Sequence, residues 1–323
     1  MTTTRIYRST DAGAPVLVGG VSSLINLLDK CLVTGYGSKT AAGWTKPYTG
    51  TDTAVFRNSV AAGGSGMHIR VLDDGSGSGG AREALVRAYL TMSDVDTGTV
   101  ETPEVAQLAG SIVWRKSNTV DSTPRAWFMV ADERTLYLCV SDGFAHVICA
   151  AGDYESYVPG DAYPFFIGGR SAQAGASSYP TSSYSLVYKA GSWATPTAAG
   201  LYLARGYAGT GAPVACAIPL LATTVGGAGS AIGGGSGLIA SPAPGSGLDS
   251  WYPAFIASES TMRGRFRGLY VPLTNFSGIA AGVEYASPPG LPSGAVLVTL
   301  RHVASGTGGD DGHVFVDSVT SWG

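Results

Sequence analysis

The segment from Ser111 to Ala150, SIVWRKSNTVDSTPRAWFMVADERTLYLCVSDGFAHVICA, constrains the fold more than any other part of the chain. Trp127, Phe128, Met129 and Val130 form a β-prone run, Ala131-Asp132-Glu133-Arg134 interrupts it with charge, and Thr135–Val140 resumes it. Two such runs on either side of a short polar break predict a hairpin. Ile112-Val113-Trp114 is expected to precede it as a third strand and His146-Val147-Ile148-Cys149 to follow it as a fourth. A meander of this size can seed a sheet core.

Elsewhere the pattern predicts one helix and many strands. Over Val21–Val33, Leu24, Ile25, Leu27, Leu28, Cys31 and Leu32 fall on or near one helical face, with Ser22 or Ser23 as N-cap and Gly35 just past the end. So short a helix must bury that face, against a sheet of its own chain or against a neighbouring subunit, which makes Leu24 and Leu28 interface candidates. Strands are expected over Ala54–Arg57, Met67–Leu72, Ala84–Met92, Tyr163–Gly168, Tyr184–Ala190, Gly200–Tyr207, Val214–Thr223, Trp251–Ile256, Phe266–Pro272, Ala295–His302 and His313–Asp317. The expected class is therefore all-β, a mainly antiparallel sandwich or meander with one short N-terminal helix. At 323 residues the chain exceeds most single cores, and Ser171–Ser183 is poor in apolar residues. Two domains follow, 1–170 and 171–323, the second carrying a long Gly/Ser-rich loop, Val225–Gly247, suited to reaching a neighbouring subunit.

Composition narrows the function classes. Charged residues are only 13% of the chain against a typical quarter, which suits a surface buried in an assembly. A formal charge of −3 and a pI near 5.8 argue against a nucleic-acid partner, because phosphate binding draws on clustered Lys and Arg. The start lacks a signal-peptide stretch and no later apolar run spans a bilayer, so synthesis in a cytoplasm and no membrane insertion are expected. Cys31, Cys139, Cys149 and Cys216 each lie in apolar sequence; buried thiols are the expectation, a Cys139–Cys149 bridge the alternative.

The candidate chemistry is thin. Asp94-Val95-Asp96-Thr97-Gly98 has alternate carboxylates but lacks the third ligand and downstream Glu of a calcium loop. Asp73-Asp74-Gly75 and Asp310-Asp311-Gly312 read as turns. Gly75–Gly80 lacks the lysine of a phosphate loop, and His68, His146, His302 and His313 lack metal-ligand spacing, although His302 and His313 could face each other across the last hairpin. Asp132, Glu133, Asp153, Glu155 and Asp161 are candidates for a glycosidase carboxylate pair by proximity only, and 16 Tyr with 6 Trp could form a sugar-stacking platform. No residue is assigned a catalytic, cofactor or metal role. Arg263, Arg265 and Arg267, followed by Tyr270, form the densest basic cluster; in a strand they would line one face and meet an acidic patch of a neighbouring subunit, or solvent.

Several of these segments carry a resemblance. The helix running into TGYGSKTAAGWTKPYTGTDTAVFRNS, the hairpin WFMVADERTLYLCV with GDYESYVPGDAY, the run RGRFRGLYVPL and the closing VFVDSVTSW together resemble tailed-bacteriophage virion structural proteins. The resemblance implies a non-enzymatic particle component without cofactor, assembled in the host cytoplasm as a homo-oligomer with other virion proteins. The resemblance itself does not fix a place on the particle; within the class the expectation is the tail, baseplate or fibre, with capsid decoration or collar as the alternative. A receptor protein that binds or cleaves a host surface glycan is the competing class.

Overall fold

The computed structural model describes residues 2–108, 111–143, 146–171, 200–206, 211–216, 239–240, 251–259, 261–272, 274–275, 281–286, 291, 294–303 and 310–322. The chain opens with strand β1 (Arg5–Arg8) and helix α1 (Ser23–Leu28), which runs on through a π-helical turn over Asp29–Thr34. Strands β2 (Thr45–Gly50), β3 (Thr53–Arg57), β4 (His68–Leu72) and β5 (Glu83–Tyr89) follow. A small hairpin, β6 (Thr91–Asp94) and β7 (Thr97–Thr99), precedes β8 (Ile112–Arg115). Next come β9 (Ala126–Ala131), β10 (Thr135–Ser141), β11 (His146–Ser156), β12 (Phe165–Gly168) and β13 (Arg170–Ser171). Short strands β14 (Leu201–Leu203), β15 (Val214–Ala215) and β16 (Ile239–Ala240) lead to β17 (Trp251–Ser258), β18 (Thr261–Pro272) and β19 (Thr274–Asn275). The last are β20 (Glu284–Ala286), β21 (Val296–Val303) and β22 (Asp310–Asp317). The fold is all-β and mostly antiparallel with one short helix, as expected.

Two sheets dominate. A six-stranded sheet runs β13-β8-β5-β4-β3-β2, and a twelve-stranded sheet follows the path β1-β9-β10-β11-β18-β22-β21-β20, with β12, β14, β15 and β17 branching from it. The hairpin β9–β10 and its continuation into β11 form as the sequence predicts, with Leu138 opposite both Met129 and Cys149. Their apolar runs do not alternate because both faces are covered. Met129, Leu138 and Cys149 join a core shared with the six-stranded sheet, whereas Phe128, Cys139 and Ile148 join a second core with Phe266, Leu269 and Val316. A strand covered on both faces needs apolar residues at successive positions.

Three expectations are corrected. Ile112–Arg115 does not precede β9 in its sheet: β8 pairs with β5 and β13, and β1 occupies the place beside β9. The chain between them crosses from one sheet to the other, held by Lys116 N on Arg82 O and Arg125 N on Leu17 O. The division at 170/171 does not separate two sheets, since β11 pairs with β18 and β12 with β14. A Cys139–Cys149 bridge is ruled out by the pleat, which sends the two side chains into opposite cores; all four cysteines are buried thiols outside any disulfide.

Helix α1 closes one end of the first core, with Leu24, Leu27 and Leu28 all buried. Ser22 stands at the N-cap in a left-handed conformation (φ 58°), but its hydroxyl donates to Asp52 and gives the helix no side-chain cap. The Leu24 amide donates instead to Asp73 Oδ2 at 2.9 Å, so a residue 49 positions away stabilises the helix start. The expected strands or loops at 172–190, 217–223, 225–238, 241–247 and 304–309 lie outside the described residues.

Candidate functional site

The arginine run of β18 leads to the site. Strand β18 carries an irregularity: its register against β17 shifts between Pro253 and Phe255, and Gly268 takes φ 64°. Such a bulge reverses which residues face inward. Before it Phe266 enters the core; after it Leu269 and Val271 do. A Cβ at Gly268 would collide with the Trp322 indole.

The three arginines therefore do not form one exposed face. Arg267 is buried, with Nη2 donating to Asp132 Oδ2 at 2.6 Å, while the other Asp132 oxygen accepts the amides of Arg134 and Thr135 at 2.8 and 2.7 Å. Arg263 is also buried and pairs with Asp161 at 3.3 Å, a carboxylate that also accepts from the Tyr154 and Ser156 hydroxyls. Both pairs join the C-terminal strands to segments before residue 170. Arg265 alone stays open to solvent, 43% exposed, with Nε donating to Glu155 Oε2 at 2.6 Å. That hydrogen bond holds its guanidinium pKa up. The interface expectation is thus corrected for Arg263 and Arg267, engaged inside the chain, and for Leu24 and Leu28, which fill its core; Arg265 and Tyr270 remain at the surface.

Arg265 and Tyr270 meet in a cleft of about 240 Å³ that also takes in Glu155, Pro253, Asp317 and Trp322. Trp322 forms the inner wall, edge-on to Tyr137 at 5.6 Å, with Nε1 donating to Asp317 O at 2.8 Å. The Asp317 carboxylate holds the closing turn: Oδ1 accepts the amides of Val319 and Thr320 at 3.0 and 3.1 Å, and Oδ2 accepts the Thr320 hydroxyl. Burial, and secondarily Asp317, pushes the Tyr270 phenol pKa up, so it stays protonated at neutral pH. The cleft thus presents one neutralised ion pair, the Asp317 carboxylate, one phenol and an apolar wall.

The other candidates resolve into structural roles. Asp153 is buried and accepts from Asn58, Ser65 and Arg134, while Glu133 pairs with Arg5 at 3.2 Å. Asp96 is paired with Arg70, and among the described residues no cluster of His, Cys, Asp and Glu could hold a metal ion. Asp73 is not merely a turn residue: it is buried and paired with Lys116, and burial pushes its carboxyl up to about 6. Burial likewise lowers His68 to about 4. The backbone register sets His302 opposite Gly312 and His313 opposite Arg301, so the two histidines are not direct cross-strand partners.

No family model matches the chain, and neither does any curated protein. Gly268, Asp317 and Trp322 were not singled out from the sequence as site residues. A glycine closing an arginine run and an Asp-Ser-Val-Thr turn ahead of a terminal tryptophan were the available signals.

Proposed function

We propose that this chain is a structural subunit of a tailed-phage virion, non-enzymatic, assembling with copies of itself and with other virion proteins. The tail, baseplate or fibre is favoured over capsid decoration or collar. The observation that carries the reading is where the charge goes. In a chain that is only 13% charged, Lys116–Asp73, Arg115–Asp142, Arg263–Asp161 and Arg267–Asp132 are ion pairs buried on both sides. Their acids and bases hold strands and turns together, so these eight groups add nothing to the surface charge that keeps a free-standing protein apart from its neighbours. Among the described residues no helix is long and apolar enough to cross a membrane.

Immunogold labelling of intact and opened particles with antibody against the recombinant chain tests this directly. Label at the tail is the expected result. Label around the head moves the subunit to the decoration or collar position, and particles that bind no antibody overturn the structural reading.

A further inference from the structure

We infer that the cleft between Arg265, Glu155, Tyr270 and Trp322 binds a neutral saccharide unit. This goes beyond a structural role and stands on the cleft itself. Arg263 and Arg267 are buried against partners of their own chain, whereas Arg265 is held at the surface by one hydrogen bond through Nε. Among the described residues, its two Nη groups, Glu155 Oε1 and the Tyr270 hydroxyl make no hydrogen bond. Fixed donors therefore stand beside a fixed acceptor, the pairing that a vicinal diol satisfies by accepting from a guanidinium and donating to a carboxylate.

The rest of the cleft agrees with that ligand. Trp322 and Pro253 supply an apolar wall for the C–H face of a ring, and Tyr270 combines an aromatic body with a polar tip. A volume of about 240 Å³ lies below the usual 300–1,000 Å³ of ligand pockets and suits one pyranose ring rather than a chain of them. Charge selects within the class. Arg265 is neutralised by Glu155, and Asp317 lines the same cleft, so a carboxylated or phosphorylated sugar meets net negative charge. Outside the cleft, Tyr157 and Phe255 lie 6.5 Å apart by ring centroids, and Phe255 is the cross-strand neighbour of Arg265, so an aromatic surface continues from the mouth.

The test uses the full chain and saturation-transfer NMR with the methyl glycosides of glucose, galactose, mannose and N-acetylglucosamine, with glucuronic acid and inorganic phosphate as charged probes. At least one neutral glycoside is expected to bind, with affinity falling about tenfold or more in Arg265→Ala and in the isosteric Glu155→Gln, because a ligand polar group is left unpaired in each. Thermal melts of both variants establish that they are folded. A polysaccharide bearing the bound sugar as its terminal unit, compared with the free glycoside, distinguishes a surface glycan from a soluble sugar, and either supports the site. Absence of binding by every neutral glycoside, preference for the charged probes, or binding untouched by both substitutions overturns the inference.

Discussion

The core between the six-stranded sheet and β9–β12 is closed by Leu24, Leu28, Phe56, Ile69, Val86 and Trp114, whereas the opposite core is closed by β17, β18, β21 and β22 with arginines reaching through it. The first covering layer comes from nearby chain, largely residues 45–115, and its strands pair along most of their length: β3 with β4 over five residues and β4 with β5 over five. The second comes from more than a hundred residues away; β17 pairs with β18 and β21 with β22 over seven residues each, but the ladders that tie β18 to its other neighbours are short, three residues to β11 and two to β22. Side chains make up the difference. Arg267–Asp132 and Arg263–Asp161 fix β18 where short ladders and a bulge would leave its register open, a role in which buried charge contributes specificity more than net stability.

This contrast can be broken in order of expected effect. Arg267→Ala leaves Asp132 buried without its cation and is expected to lower unfolding free energy by about 3–5 kcal/mol in urea titrations. Adding Asp132→Asn, which keeps an acceptor for the Arg134 and Thr135 amides, should recover most of the loss. If the double variant is no better than the single one, the pair is not what secures this layer. On the aliphatic side Leu28→Ala should cost about 2–5 kcal/mol through the cavity it leaves, with no acidic substitution able to rescue it.

Gly268→Ala tests the bulge itself. The positive φ and the collision with Trp322 are expected to cost about 1–3 kcal/mol, and tryptophan fluorescence should report the displaced indole. A variant as stable as the parent would show that the closing turn is not seated on Gly268.

Acid distinguishes the two layers next. His68 belongs to β4, is 5% exposed and has its pKa lowered to about 4, first by burial, with Arg57 adding to the effect. The unfolded chain therefore binds more protons between about pH 6.5 and 4, so stability from this residue is lost as pH falls through that window. Asp73, raised to about 6, works in the opposite sense and gains as pH falls toward 3.8. Comparing parent and His68→Gln between pH 7 and 4.5 should show an acid-side loss larger by about 2 kcal/mol in the parent. Equal slopes would remove His68 as the source. The smallest effect is expected of Arg265→Ala, where a half-exposed pair is screened by solvent: less than about 1 kcal/mol, and less still at high salt.

Much of the fold was legible because its cause is local. Trp127–Val130 and Thr135–Val140 had to be strands, since their bulky apolar residues suit a pleated surface, and the charged break between them had to be the turn. The apolar stripe of α1 announced burial just as plainly. Strands β1 and β2 went unread: Arg5–Arg8 and Thr45–Gly50 carry charge, proline and glycine and take extended form only because β9 and β3 offer them ladders. The site was half legible. Arg265 and Tyr270 stood out by residue type, but nothing nearby in sequence reveals that Arg265 meets Glu155 110 residues away while its neighbours two positions to either side turn inward.

The sequence by itself determined the strand-rich class, the helix and the central hairpin, because propensity and apolar patterning act over a few residues. Tertiary structure alone decided that both halves share one sheet, that the cysteines of adjacent strands face opposite cores, and that one arginine of three reaches the cleft. Each of these depends on register and on which side of a sheet is covered. Those are settled only when distant segments meet, because an odd register shift such as the three-residue one that spans Gly268 exchanges inside for outside without leaving a periodic mark in the chain.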